Sequence, residues 1–472
     1  MTNNMSERVL LVVFFIVNII LYFFSYDNAT FLEGADASQY YAPALSFIEN
    51  GEFLSGNGKP STFGPPLYSI FLAIPIFTFG IDESAAAIVF MQCVLLYLTG
   101  FLSRYILLQF TNRFGLLLHA LVIFNPNSLI TAHLVQSETL FTLLFVWSVV
   151  TAFKILTDFS IKNIILLGVL TGLAALTRPV ALYLLILWPL FILIALMIKS
   201  RLDINNQPVF YVNRVVVKLL SIIIIGGLVL SPWYIRNYVK FDEVFFTSNA
   251  GAYLQAQYIQ LKNKGSRLSV PNANKEHRDI FADYLDKDGK SNFCLDNERH
   301  LSCNTVLIHA SLGAIINEPL VVHIKALIDS WGTLFLAGGA SNVRNYLGFD
   351  GKSLIVNFQN NSFHGLESIL KLVRDMDIFY LFIFIFTTAF SVIFRIVGIV
   401  GLFYLFKNRE WRPYGFLLVE IISIFVAAYL YLGQSRFRVP LEPLLMLFAV
   451  IGFLYIDKIL KRRNRLKHDE IK

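Results

Sequence analysis

Ten long apolar stretches recur along the chain, at 8–26, 85–108, 114–132, 138–157, 162–178, 180–198, 215–237, 378–406, 413–432 and 439–457. They leave one class of fold open. A helix needs about 20 apolar residues to cross the hydrocarbon core of a bilayer. Inside that core every backbone amide must be satisfied within the segment or within a closed barrel. These runs are too long, and too continuously apolar, for the alternating ten-residue strands of a barrel. The expected fold is therefore all-α and polytopic, with about ten transmembrane helices. Hydrophobic residues make up 56% of the chain and charged residues only 15%, which agrees with this.

The basic residues explain the net charge of +7 without a nucleic acid. They cluster at Arg8, Arg104 with Arg113, Lys154 with Lys162, Lys199 to Lys218, Lys407 to Arg412, and in the tail from Lys461 to Lys467. All of these fall on one face if both termini are cytoplasmic, as the positive-inside bias requires. The first apolar run is followed by Ser25-Tyr26-Asp27-Asn28 rather than by a small-residue cleavage site, so it reads as a retained helix. The stretch from Pro66 to Phe77 is short and interrupted by Pro75, and counting it as a span would put basic loops on the wrong face. It reads as an interfacial or re-entrant helix, with an eleventh span as the alternative. Three units follow: a membrane module over 1–238 that includes an external loop at 27–84, a large external segment at 239–377, and terminal spans with a basic tail at 378–472.

Polar residues at the external ends of the spans are the candidates for chemistry. Asp36 could accept a proton from an incoming hydroxyl, or cap the helix from Ala37 to Glu49. Glu138 opens a span, either as an acid favoured by the helix dipole or as a second carboxylate of a site. Arg178, Arg236, Arg436 and Arg438 lie on the face where arginine is disfavoured. Snorkelling at helix ends is one reading; the other is an anion site, because a guanidinium fork bonds two phosphate oxygens. Tyr40, Tyr41, Tyr68, Asn237 and His133 are candidate substrate contacts. His133 shows no metal-ligand spacing. Arg395 and Glu420 lie within spans, where Glu420 reads as a partner for Arg395 or a cavity residue. Cys93 lies in a span; Cys294 and Cys303 either pair in an oxidising compartment or remain free thiols. No phosphate-cradling glycine loop, HExxH, CxxC or Gly-x-Ser-x-Gly is present, so nucleotide-driven and hydrolase chemistry have no support.

Six stretches, taken in order, resemble the GT-C membrane glycosyltransferases that take sugar from polyprenyl phosphate, in particular bacterial relatives of the protein O-mannosyltransferases and the lipid A aminoarabinose transferase. They are Gly34-Ala35-Asp36-Ala37-Ser38-Gln39-Tyr40-Tyr41, Gly64-Pro65-Pro66-Leu67-Tyr68, Ser137-Glu138-Thr139-Leu140, Gly172 to Pro179, Pro232 to Tyr238, and Arg436 to Pro443. Many relatives carry Asp-Glu where this chain has Asp36-Ala37. The resemblance implies a seven-helix core plus three further spans, with juxtamembrane helices in the first external loop. It implies an inverting transfer at the periplasmic or external face of a bacterial inner membrane. The donor would be a polyprenyl-phosphate (undecaprenyl-phosphate) sugar, and the acceptor a hydroxyl of lipopolysaccharide, another glycan, a lipid or a protein. Asp36 would be the base, Glu138 would position it or the acceptor, and Arg178, Arg236 and Arg438, with Arg436, would receive the lipid phosphate. No cofactor is demanded, although a divalent metal shared by Asp36 and Glu138 is left open. The rival reading is a transporter or flippase of envelope polysaccharide or lipid-linked sugar. Against it, the sequence shows neither related halves nor broken mid-membrane helices.

Overall fold

Glu138–Thr157 is apolar on every side, and such a helix has to be covered on every side. The computed structural model, which describes residues 2–25, 36–81, 83–202, 212–287, 293–296, 301–348 and 378–470, places it at the centre of a helical bundle. Its residues Phe141, Phe145, Val146, Val149, Ala152, Phe153 and Ile155 are all buried. In chain order the helices are α1 (Thr2–Ser25), α2 (Ala37–Asn50), α3 (Leu67–Phe79), α4 (Ser84–Leu107), α5 (Gly115–Ile123), α6 (Pro126–Thr131) and the central α7 (Glu138–Thr157). They continue with α8 (Ile161–Ala175), α9 (Ala181–Leu202), α10 (Val212–Phe241), α11 (Ala250–Ser266), α12 (Val270–Lys287), α13 (Phe293–Asp296), α14 (Leu301–Ile316), α15 (Leu320–Leu336) and α16 (Ala340–Leu347). The last three are α17 (Ile378–Lys407), α18 (Arg412–Ala428) and α19 (Glu442–Glu470).

Among the described residues, 8 helices are long and apolar enough to cross a membrane. They correspond to eight of the ten expected spans; the other two differ in form. The run at 114–132 breaks at Asn125-Pro126, where the Asn125 side chain accepts the amides of Asn127 and Ser128 and starts a new helix. A proline at the first helical position favours that restart. The run at 162–178 gives α8, which is 15 residues long.

Between the first two spans lie α2 and α3. The second has 13 residues and ends at Gly80, too short to span. It packs Tyr68, Leu72 and Ile76 against Ala37 and Ala44 of α2 and Ile88 of α4. The first part of the external loop, 27–35, lies outside the described residues, as does 349–377 of the large segment.

The described residues of that segment from Ala250 onward are mostly helical. A disulfide joins Cys294 of α13 to Cys303 of α14 over Phe281 and Leu285 of α12. One feature departs from the expected short external helices: α14 and α15 together are as apolar as a span, but bend by 102° at their junction.

Helices α17 and α19 approach each other closely. Any side chain at Gly401 would strike the carbonyl of Phe448, and one at Gly452 that of Val397, so only glycine allows this approach. Arg395 of α17 meets Glu442 at 2.5 Å, not Glu420. Glu442 also holds Arg438 at 2.5 Å and accepts from Asn125 Nδ2 at 3.0 Å. A fully buried carboxylate is tolerable only when saturated in this way.

Candidate functional site

Five helix ends meet at one end of the bundle. Glu138 is the first residue of α7 and its side chain is 0% exposed. Arg178 follows α8, its amide bonded to the Ala174 carbonyl, and Pro179 after it prevents the helix from continuing. Arg436 sits in the 3-10 turn Ser435–Leu441 between α18 and α19. Asp36 occupies the N-cap position of α2 but makes no capping hydrogen bond with its side chain. Its carboxylate instead contacts Arg436.

The four side chains form a line. Arg178 Nη1 lies 2.7 Å from Glu138 Oε1. Arg436 Nε donates to the same oxygen, and Arg436 Nη1 lies 2.5 Å from Asp36 Oδ2. Two cations and two anions thus balance. Arg178 is 12% exposed, Glu138 0%, Arg436 18% and Asp36 31%, so the line is most open at Asp36. The balance is incomplete in hydrogen bonds. Glu138 Oε2 has no partner, and Arg178 Nη1 touches Glu138 without hydrogen-bond geometry. Burial opposes the charge on Arg178, but Glu138, Tyr429 and Tyr40 beside it hold its pKa above the ordinary value.

Aromatic groups frame the line. Arg178 Nη2 donates to the Tyr429 hydroxyl at 3.3 Å, and the Tyr429 ring stacks on Phe437 at 4.4 Å. Tyr40 shares a 3.2 Å hydrogen bond with Ser137 and stands edge-on to Tyr68. Burial pushes the Tyr40 hydroxyl above its usual pKa against the pull of Arg178, so it stays protonated. Tyr68 is wholly buried and donates to Gln92 at 2.9 Å, supporting Tyr40 from below.

Several candidates are placed elsewhere. Arg236 donates to the carbonyls of Ser61 (2.8 Å) and Phe53 (3.1 Å) and lies over Trp233, pinning the turn of the first external loop. Asn237 donates to the carbonyls of Phe245 and Phe246. Arg438 is fully buried and donates to Glu442 and to the carbonyls of Leu334 and Ala337, which leaves no surface for a phosphate. His133 bonds Tyr346 and Asn18, both at 2.8 Å, and ties α16 to α1. Tyr41 reaches Ile81 O and Ser84 at 3.4 Å. Of the expected phosphate-binding arginines Arg178, Arg236 and Arg438, Arg178 alone lies in the line, beside Arg436. Arg438 and Arg436 differ by two positions in a turn, and only coordinates distinguish which one faces the site. Tyr429 and Phe437 were missed altogether, because nothing sets them apart from other aromatic residues near span ends.

No three His, Cys, Asp or Glu side chains gather into a metal site among the described residues. Asp36 and Glu138, the pair left open for a shared divalent ion, are bridged by the Arg436 guanidinium instead.

Comparison with known proteins places this arrangement in a fold. No family model matches the chain, and no curated protein matches it. Among solved structures, the apo oligosaccharyltransferase of Archaeoglobus fulgidus is similar at a TM-score of 0.50 and 14% identity, over 98% of this chain and 52% of that one. The oligosaccharyltransferase AglB of the same organism, in complex with an inhibitory peptide and a dolichol-phosphate, is similar at 0.51 and 14%, with the same coverage. ArnT from Cupriavidus metallidurans, bound to undecaprenyl phosphate, gives 0.39 and 14%, over 94% of this chain and 76% of that one. The chain spans about half the length of the two oligosaccharyltransferases. Its fold is GT-C-like: polytopic, all-helical, with paired short helices after the first span.

Proposed function

We propose that this chain is an inverting membrane glycosyltransferase, moving a sugar from a polyprenyl-phosphate carrier to an acceptor hydroxyl. The observation that carries the reading is the line Arg178, Glu138, Arg436, Asp36 at one end of a GT-C-like bundle. It sets two guanidinium groups beside a partly exposed carboxylate. In the reaction the acceptor oxygen attacks the anomeric carbon, the C1–O bond to phosphate breaks, and Asp36 takes the hydroxyl proton. The electron pair leaves on the polyprenyl monophosphate, whose growing charge Arg178 and Arg436 stabilise. Tyr40, kept protonated, is a further donor at the mouth.

Two features support an external site. The opposite end of the bundle carries the Arg104–Glu7 and Arg113–Asp457 pairs and leads into the basic tail, which is where positive-inside places the cytoplasm. The Cys294–Cys303 disulfide belongs to the helices that cover the site end, and a disulfide suits an oxidising compartment.

The test is a reconstituted assay with labelled polyprenyl-phosphate sugars and an envelope extract as acceptor, following release of polyprenyl monophosphate. Release that requires Asp36 supports the reading. Absence of release across hexose and pentose donors, with intact folded protein, overturns it. Mass spectrometry of envelope glycans and proteins with and without the gene identifies the sugar and acceptor.

A further inference from the structure

Helix α15 carries an apolar stripe that no described residue covers. Leu320 is 74% exposed, Val321 56%, Ile324 48%, Ile328 67%, Trp331 41% and Leu336 45%. Val321, Ile324, Ile328 and Trp331 follow in steps of three, four and three, which puts them on one face, with Leu320 and Leu336 at its two ends. The helix carries two charged side chains that reach its outside, the exposed Lys325 and Asp329, which is 37% exposed and paired with Arg267 at 3.1 Å.

The opposite face is built into the protein. Ala326, Ser330 and Leu334 are buried. His323 Nδ1 bonds the Tyr431 hydroxyl at 2.6 Å. Gly433 has φ +43, and any side chain there would strike Ser330. Beyond the helix, a side chain at Gly338 would strike the backbone of Thr387 in α17. Thr387 lies about 14 Å along α17 from its start at Ile378, taking 1.5 Å per residue. The end of α15 is therefore wedged against the apolar length of a spanning helix. The outward residues of α17 beside it, Ile378, Phe382, Ile385 and Phe386, are more than half exposed.

We infer that the outward face of α15 lies in the hydrocarbon of the bilayer, so that α14 and α15 form a re-entrant element rather than part of a water-exposed cap. The occupant is lipid because the stripe continues the lipid-facing surface of α17. The arms have 16 and 17 residues, short of the usual length of about 20, and the 102° bend at their junction turns the second arm away from the line of the first. The polar groups fit interface depth. Glu318 at the bend is paired with Lys262 at 2.9 Å, Lys325 can extend its ammonium to the headgroups, and tryptophan favours that level. A lipid-embedded helix then supports the turn that carries Arg436.

Nitroxide labels at Ile324→Cys, Ile328→Cys and Trp331→Cys, in a Cys93→Ser background in phosphatidylcholine/phosphatidylglycerol vesicles, test this by power saturation. Phe382→Cys and Lys59→Cys, the latter on an exposed turn of the first external loop, serve as lipid and water references. High oxygen collision with low nickel-chelate collision, matching position 382, is expected at all three sites. Nickel-chelate collision matching position 59 overturns the inference, as does shielding from both reagents, which would mean that residues 349–377 or a second copy covers the face. Photolabelling of the unaltered protein by a diazirine lipid, mapped by mass spectrometry, should mark 320–336. Failure to mark this stretch while α17 is marked overturns the inference independently of any variant, and neither measurement depends on the catalytic reading.

Discussion

Arg436 reaches Asp36 from the far end of the chain, Nη1 to Oδ2 at 2.5 Å, and donates through Nε to Glu138. One guanidinium therefore links the proposed base to a buried carboxylate. A phosphate offers the same guanidinium a stronger bidentate partner. Donor binding should then draw Arg436 off Asp36 and leave that carboxylate free to accept a proton.

Asp36→Asn keeps the shape of the side chain and removes its basicity. Transfer should fall by about 10²–10⁴-fold, the usual contribution of a general base, while the protein still binds polyprenyl phosphate. Isothermal titration with the lipid phosphate, set beside turnover, checks this. Near-normal turnover in the variant would remove Asp36 from the chemistry.

Glu138→Gln leaves Arg178 in low dielectric without its anion and Arg436 with Asp36 alone. Breaking a buried pair from one side typically costs about 3–5 kcal/mol, so the thermal transition should drop. If the carboxylate stands where phosphate charge will sit, polyprenyl phosphate should raise the transition of the variant more than that of the wild type. Equal shifts in both proteins would make Glu138 a purely structural anion.

Arg178 and Arg438 should separate by phenotype. Arg178→Ala should weaken donor binding and lower turnover with modest loss of stability, because Arg436 remains on Glu138. Arg438→Ala strips donors from the carbonyls of Leu334 and Ala337 and one of its two cations from Glu442. It should cost about 3–5 kcal/mol, as for other broken buried pairs, and reduce accumulation in the membrane. Thermal unfolding in detergent, set beside donor affinity, measures both.

The spans were legible because hydrophobic length is a local property: a helix in lipid needs only its own residues to satisfy its backbone. The break at Asn125-Pro126 was equally local, an N-cap with proline after it, and its signal sat inside a run read as one span. Asp36, Glu138 and Arg178 stood out because charge at an external helix end is costly and therefore informative. What the sequence could not show was direction. Arg436 and Arg438 look alike in the string, yet one opens to the site and the other vanishes into Glu442. The partner of Arg395 was misjudged for the same reason, since Glu420 and Glu442 are both intramembrane acids and only the packing of α17 on α19 selects between them. The bend between α14 and α15 is hidden in the sequence by the polar residues Asn317, Glu318, His323 and Lys325, which dilute an apolar period.

Lys264 gives the clearest pH dependence. It lies in α11 and donates to the carbonyls of Tyr431 (2.7 Å) and Leu432 (3.1 Å), on the segment that leads to Arg436. Burial lowers its pKa to about 8, against Asp329, which pulls the other way while paired with Arg267. His323 and Tyr431 complete the surroundings, hydrogen-bonded to each other. An unfolded lysine titrates near 10.4, so between about pH 8 and 10.4 the unfolded chain binds more protons than the folded one, and stability rises with pH across that window. Below pH 8 the folded protein carries the full cost of the buried charge, roughly 3 kcal/mol for a shift of this size. Lys264→Met should remove that slope, and Lys264→Arg should remove it by staying charged throughout. Thermal unfolding of the detergent-solubilised protein from pH 7 to 10 reads the effect. A wild-type slope that persists unchanged in Lys264→Met would assign it to another group.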